Sequence, residues 1–221
     1  MSTLNRNTLE DGSYAGTLEL PPHLLWSNAQ LDESLANSLK DRPDGDVWIF
    51  AYGSLMWNPL LDVAERRNAV LHGWHRSFCL RAVAGRGSSR QPGRMLALEP
   101  GGTVQGVALR LSEETATFEL RLLWSREMVA GSYEPRWEPV ILSDGRSVRA
   151  LVFVIDARGE LYEPGAEPAD VAPFIARARG ALGTNAEYVC HLDFALADAG
   201  LCDPYVSALV GELKGDRNSP R

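Results

Sequence analysis

The sequence predicts an α+β protein: a mostly antiparallel sheet or small barrel with helices packed outside it. Three observations carry that prediction. Strand-like and helix-like stretches are interleaved along the chain, the strand connections read mainly as hairpins, which argues against a doubly wound nucleotide-binding fold, and no internal repeat or low-complexity tract interrupts them.

The elements follow in order. Residues 1–24 are polar and broken by Asp11-Gly12 and Pro21-Pro22, which predicts a loose arm. Ser27 is placed to cap a helix in which Leu31, Leu35 and Leu39 recur every four residues, ended by Arg42-Pro43-Asp44-Gly45. Val47–Tyr52 is continuously apolar, aromatic and β-branched, the pattern of a buried central strand, and it halts at Gly53-Ser54. Ala69–Val83 reads as one or two strands and Ala84–Gly93 as an exposed loop. Met95–Leu98 and Val104–Leu111 read as strands joined in a hairpin at Gly101-Gly102. Ser112 opens a helix through about Trp124, with Phe118, Leu122 and Leu123 on one side and Arg126-Glu127 at its end. Trp137–Leu142 and Ser147–Ile155 form a second hairpin around Asp144-Gly145. Val171, Phe174, Ile175 and Ala178 mark an amphipathic helix, and Asn185–Ala199 and Pro204–Leu213 two more. No stretch between them reads as a linker, so residues 25–214 are expected to form one domain, followed by a tail at 215–221.

Composition narrows the function. With 45% hydrophobic and 23% charged residues in 221, the chain is long enough to bury a full core and is not of disordered or coiled-coil type. A net charge of −7 argues against a nucleic-acid partner, because phosphate contacts need a concentrated positive field. The longest apolar runs, Val47–Tyr52 and Ala150–Ile155, are six residues each, far below the roughly 20 of a membrane-spanning helix. Residues 1–16 lack the apolar stretch of a secretory signal. Cys79, Cys190 and Cys202 have no metal-like spacing, so three reduced thiols and a cytoplasmic location are expected.

Two places offer chemistry. The strand end Tyr52-Gly53-Ser54-Leu55 has the form of a backbone nest, in which several N–H groups turn to one side and bind an anion; the same residues also suit an ordinary strand-to-loop turn. Glu127 stands between an apolar helix face and Met128-Val129. It reads either as a carboxyl raised by burial and suited to proton transfer, or as a solvated carboxylate paired with Arg126 or Arg121. His72 and His75, three apart on a strand, should lie on opposite faces, so no metal site is expected. Ser54 lacks a nucleophile elbow, and Cys79 and Cys190 lack an assignable histidine partner.

Five strings together carry a resemblance: VWIFAYGSLMWNP (47–59), GWHRSFCLR (73–81), GRG and QPGRMLAL within 85–98, LLWSREMVAGSYEPRW (122–137) and GTNAEYVCHL (183–192). In that order they resemble the bacterial branch of the ChaC family of glutathione-specific γ-glutamylcyclotransferases, from about Val47 to Leu213. The resemblance implies a small mixed, mostly antiparallel β-barrel with surrounding helices. It implies cleavage of glutathione to 5-oxoproline and cysteinylglycine without a cofactor. It implies that Ala51, Tyr52, Gly53, Ser54, Leu55 and Met56 hold the γ-glutamyl group, and that Glu127 is the catalytic glutamate. Two other classes stand beside it: a cyclotransferase for other γ-glutamyl amino acids or amines, and a non-catalytic regulatory module.

Overall fold

The computed structural model describes residues 4–216. Its centre is a closed five-stranded barrel of β1 (Trp48–Ala51), β2 (Val63–Ala82), β3 (Gly93–Leu111), β4 (Tyr133–Leu142) and β5 (Ser147–Ile155), arranged β1-β3-β2-β4-β5. The pairings are antiparallel except where β1 closes the barrel on β5 in parallel, Trp48 opposite Ala150 and Ile49 opposite Leu151. The mostly antiparallel barrel expected from the sequence is therefore present. Strand β1 is buried along its whole length. Ile49, Phe50, Leu71, Phe78, Leu98, Leu109 and Val152 are buried in one hydrophobic cluster formed by the barrel strands and what packs on them.

Around the barrel lie α3 (Asn28–Lys40), α4 (Ala116–Glu127), α5 (Pro168–Arg177), α6 (Asn185–Asp198) and α7 (Pro204–Asp216), with a two-stranded ribbon of β6 (Arg179–Gly180) and β7 (Gly183–Thr184). Helix α3 starts as its sequence predicts: Ser27 and Gln30 form a reciprocal capping box. Helix α6 starts in the same way on Thr184 and Glu187. Among the described residues no helix is long and apolar enough to cross a membrane.

Three expectations are corrected. First, Gly101-Gly102 is not the turn of a hairpin; β3 runs straight through it. Both glycines take positive φ, 105° and 75°, and they face a register shift between His72 and Trp74 on β2. A bulge absorbs the residues that a turn would have used and bends two long strands without ending them. Second, the loop expected to be exposed over Ala84–Gly93 is the true hairpin connection, residues 83–92 between β2 and β3, and its start is tucked in: the Leu182 N–H donates to the Gly85 carbonyl at 2.8 Å. Third, residues 1–24 are not a loose arm where they are described. Short helices α1 (Arg6–Glu10) and α2 (Tyr14–Thr17) pack on α4, burying Leu9, Tyr14 and Leu18 with Leu122. Their apolar residues are too few and too irregularly spaced to stand out by periodicity. Of the expected tail, α7 takes in residues 215 and 216, and 217–221 lie outside the described residues.

Candidate active site

The buried strand β1 delivers its C-terminal end to a bend. After Ala51 and Tyr52 the chain turns at Gly53 into a single 3₁₀ turn, Ser54–Met56. Two buried arginines hold that bend. Arg76 on β2 donates from Nε to the Tyr52 carbonyl at 2.8 Å and from Nη1 to Asp203 at 2.7 Å. Arg126 at the end of α4 donates from Nη2 to Ser54 Oγ at 2.8 Å, and from Nη1 to the carbonyls of Asn58 and Pro59 at 2.5 and 3.0 Å. The loop is thus positioned by charge-assisted hydrogen bonds from two arginines on different elements, β2 and α4.

Glu127 is the last residue of α4, beside Arg126. Its side chain is only 17% exposed, and Oε1 lies 2.9 Å from Arg126 Nε. The approach lacks the alignment of a hydrogen bond, so Oε1 is shielded from solvent with no hydrogen-bond partner. Burial pushes the Glu127 carboxyl above its ordinary value, and the Arg126 charge pulls back against that rise. Of the reading that made Glu127 a solvated carboxylate, only the pairing with Arg126 holds; the side chain is desolvated, as the other reading expected.

Glu127, Ser54 and Arg126 share a cavity of about 230 Å³ with Tyr133, Tyr188 and Arg86. The cavity holds a proton-accepting group, cationic groups and hydroxyls in one partly enclosed space, which suits a small polar anion. Tyr133 donates to the Leu96 carbonyl at 2.8 Å. Burial, aided by the nearby Glu127 charge, pushes the Tyr188 phenol up to about 12.

The structure separates the six loop residues by role. Ser54 lines the cavity. The side chains of Ala51, Leu55 and Met56 are buried in the core, and Tyr52 is anchored by its hydroxyl, which donates to the Phe153 carbonyl at 2.5 Å. Gly53 lies against Tyr188: a Cβ there would sit 2.9 Å from the Tyr188 hydroxyl and 3.3 Å from Leu96 Cδ2. The Tyr188 ring is itself wedged between Trp57 and Phe78, at centroid distances of 5.4 and 6.1 Å, so it has little room to yield. Gly53→Val is therefore expected to fold but to raise KM at least about tenfold, within the range overpacking costs. A soluble variant with unchanged KM would remove the loop from the site.

His72 and His75 are both exposed, not on opposite faces, because the irregular register at Gly73 shifts the alternation. Among the described residues no group of three or more His, Cys, Asp or Glu is arranged to hold a metal. Arg126 stood in the sequence as a mere partner of Glu127, and Tyr188 as part of a matched string; their place beside Ser54 had no periodic signal.

The fold is that of the γ-glutamylcyclotransferases. A crystal structure of the yeast glutathione-specific enzyme superposes with a TM-score of 0.73 over 79% of this chain and 98% of the other, at 22% identity. The chain belongs to the ChaC-like protein family, which it matches over residues 47–215. It is 52% identical over 192 residues to the glutathione-specific γ-glutamylcyclotransferase of Escherichia coli K12, covering 86% of this chain and 83% of the relative. It is 32% identical to the human glutathione-specific γ-glutamylcyclotransferase 1, covering 76% and 80%.

Proposed function

We propose that this protein is a glutathione-specific γ-glutamylcyclotransferase of the cytoplasm, with Glu127 as its proton shuttle and the Ala51–Met56 loop as its γ-glutamyl-binding element. The observation that carries this reading is the placement of Glu127. In a chain 52% identical to an enzyme of that name, it presents a solvent-shielded carboxyl, ion-paired with Arg126, in the same cavity as Ser54.

The chemistry suits those residues. The α-amine of the γ-glutamyl group attacks its own γ-carbonyl carbon. A new C–N bond closes the five-membered lactam, and the amide bond to the cysteinyl nitrogen breaks. Both reacting groups belong to one molecule, so the site mainly has to fold the substrate into a reactive geometry. The α-carboxylate, held by backbone N–H groups of Gly53–Leu55, fixes one end. An α-amine titrates near pH 8 and is largely protonated at neutral pH, so a base must take its proton. The departing nitrogen must receive one. A single carboxylate raised by burial serves both nitrogens in turn. A backbone N–H of the same loop would steady the oxygen of the tetrahedral intermediate. Atoms and charge balance without water or an electron carrier, and the products are 5-oxoproline and cysteinylglycine.

The test is mass spectrometry of products from glutathione, γ-glutamyl-alanine and γ-glutamyl-lysine side by side. Preferential formation of 5-oxoproline from glutathione is expected, and equal turnover of all three would overturn the assignment to glutathione. Dialysis against EDTA is expected to leave turnover unchanged; a loss restored by zinc would assign the proton transfer to a metal-bound group instead.

A further inference from the structure

We propose that the amino-terminal segment Leu4–Leu24 is a strap that completes the substrate site, and that the Tyr14 hydroxyl donates a hydrogen bond to an acceptor oxygen of the substrate's leaving dipeptide. The inference rests on the cyclotransferase reading for the identity of that dipeptide. The family match begins at residue 47, yet Leu4, Tyr14, Leu18 and Leu20 share the cavity wall with Ser54 and Glu127. A segment outside the matched region thus shapes the site within it.

The strap is fixed in place. Arg6 donates from Nη1 and Nη2 to the two carboxylate oxygens of Glu119, at 3.0 and 2.6 Å, and from Nη1 to the Leu60 carbonyl at 3.1 Å. Glu119 is wholly buried and also accepts from the Asp62 N–H at 3.1 Å. Leu9, Tyr14 and Leu18 bury against Leu122 of α4. Beyond the strap, the Trp26 N–H donates to the Val129 carbonyl at 3.0 Å, two residues past Glu127. Lifting the strap would leave a buried carboxylate without its cation, which is expensive.

The strap's contribution to the cavity wall is apolar apart from Tyr14. That residue is 6% exposed and lines the cavity, and its hydroxyl has no hydrogen-bond partner among the described residues. The Tyr133 hydroxyl already donates to the Leu96 carbonyl. A tyrosine buried at its ring and uncommitted at its tip is suited to a ligand's polar group. Burial pushes the Tyr14 phenol up to about 12, so it stays protonated and acts as a donor. The Ala51–Met56 loop and Glu127 engage the γ-glutamyl half of the substrate, which leaves the dipeptide half to the strap.

The experiment is calorimetric binding of glutathione to Glu127→Gln with and without Tyr14→Phe, alongside steady-state kinetics of Tyr14→Phe alone. Phenylalanine keeps the ring and its packing, so Tm should not move. One neutral hydrogen bond corresponds to a rise of roughly fivefold in Kd and in KM, with kcat within about twofold. Arg6→Ala, which frees the strap, should raise KM in the same direction, and adding Tyr14→Phe to it should then have little further effect. Unchanged Kd in the Tyr14→Phe background, or a lower Tm with unchanged Kd, overturns the proposal. Wild-type protein that binds glutathione but forms no 5-oxoproline would overturn the reaction and leave the strap to be judged by Kd alone.

Discussion

Glu127→Gln is expected to bind glutathione and to lose turnover by about 10⁴-fold, the upper end for a single acid–base group. Glutamine keeps the shape and reach of the side chain but neither accepts nor returns a proton, and this one carboxyl is asked to serve both nitrogens. The stability of the variant supplies an independent check. Because burial raises the carboxyl in the folded state, the folded chain holds its proton at pH values where the unfolded chain has released it. Wild-type stability due to this group therefore falls as pH rises from the unfolded value, near 4.3, through the higher folded one. In Glu127→Gln that fall should vanish, read as Tm against pH. Turnover within tenfold of wild type would place the proton shuttle elsewhere, with Tyr133 as the next candidate and Glu187 after it. Of these two, Tyr133 lines the cavity, whereas Glu187 is exposed and closes the capping box of α6.

Glu119→Gln should behave in the opposite way. Glu119 is wholly buried and carries its charge against Arg6, whose side chain reaches it from a partly exposed position. Removing its charge should cost about 1.5–3 kcal/mol of stability, the worth of hydrogen bonds to a charged group. By loosening the strap it should raise KM, while kcat at saturating glutathione stays within severalfold. The two variants thus separate chemistry from scaffold.

How far the sequence reached follows from what each signal encodes. Strand β1 was legible because a six-residue apolar run between Asp46 and Gly53 has few other fates in a protein this size. The β4–β5 hairpin was legible because Asp144-Gly145 supplies its turn. The Gly101-Gly102 bulge was misread because a glycine pair permits positive φ without saying whether the chain reverses or only bends; the partner strand decides, and it lies some thirty residues away in the register that pairs His72 with Thr103. Glu127 and Ser54 were singled out from local pattern and family resemblance, and the structure brings them into one cavity. Arg126 and Tyr14 were not, for a common reason. Their places depend on contacts spanning far more of the chain than any helix or strand period, Arg126 with Ser54 and Asn58, and Tyr14 with Leu122.

Arg126→Met is expected to have the second-largest effect on turnover, about 10²-fold in kcat/KM. The side chain is 3% exposed and joins the two halves of the site: the same guanidinium that approaches Glu127 through Nε holds Ser54, Asn58 and Pro59 through its terminal nitrogens. Methionine fills similar volume without donors, so the loop loses its tie to α4, and a displacement of about 1 Å is enough to cost that factor. The charge has a separate consequence. Arg126 pulls the Glu127 carboxyl down against the rise caused by burial. With the cation gone the carboxyl should rise further, so the acidic limb of the kcat profile, where Glu127 becomes protonated and can no longer act as base, should move to higher pH. Arg126→Lys separates the two contributions. It restores a positive charge but not the forked set of donors, so the acidic limb should return toward its wild-type position while kcat/KM stays low. A methionine variant whose acidic limb does not move would show that the Arg126 charge is not what moderates Glu127. A lysine variant with full kcat/KM would show that the fork is not what holds the loop.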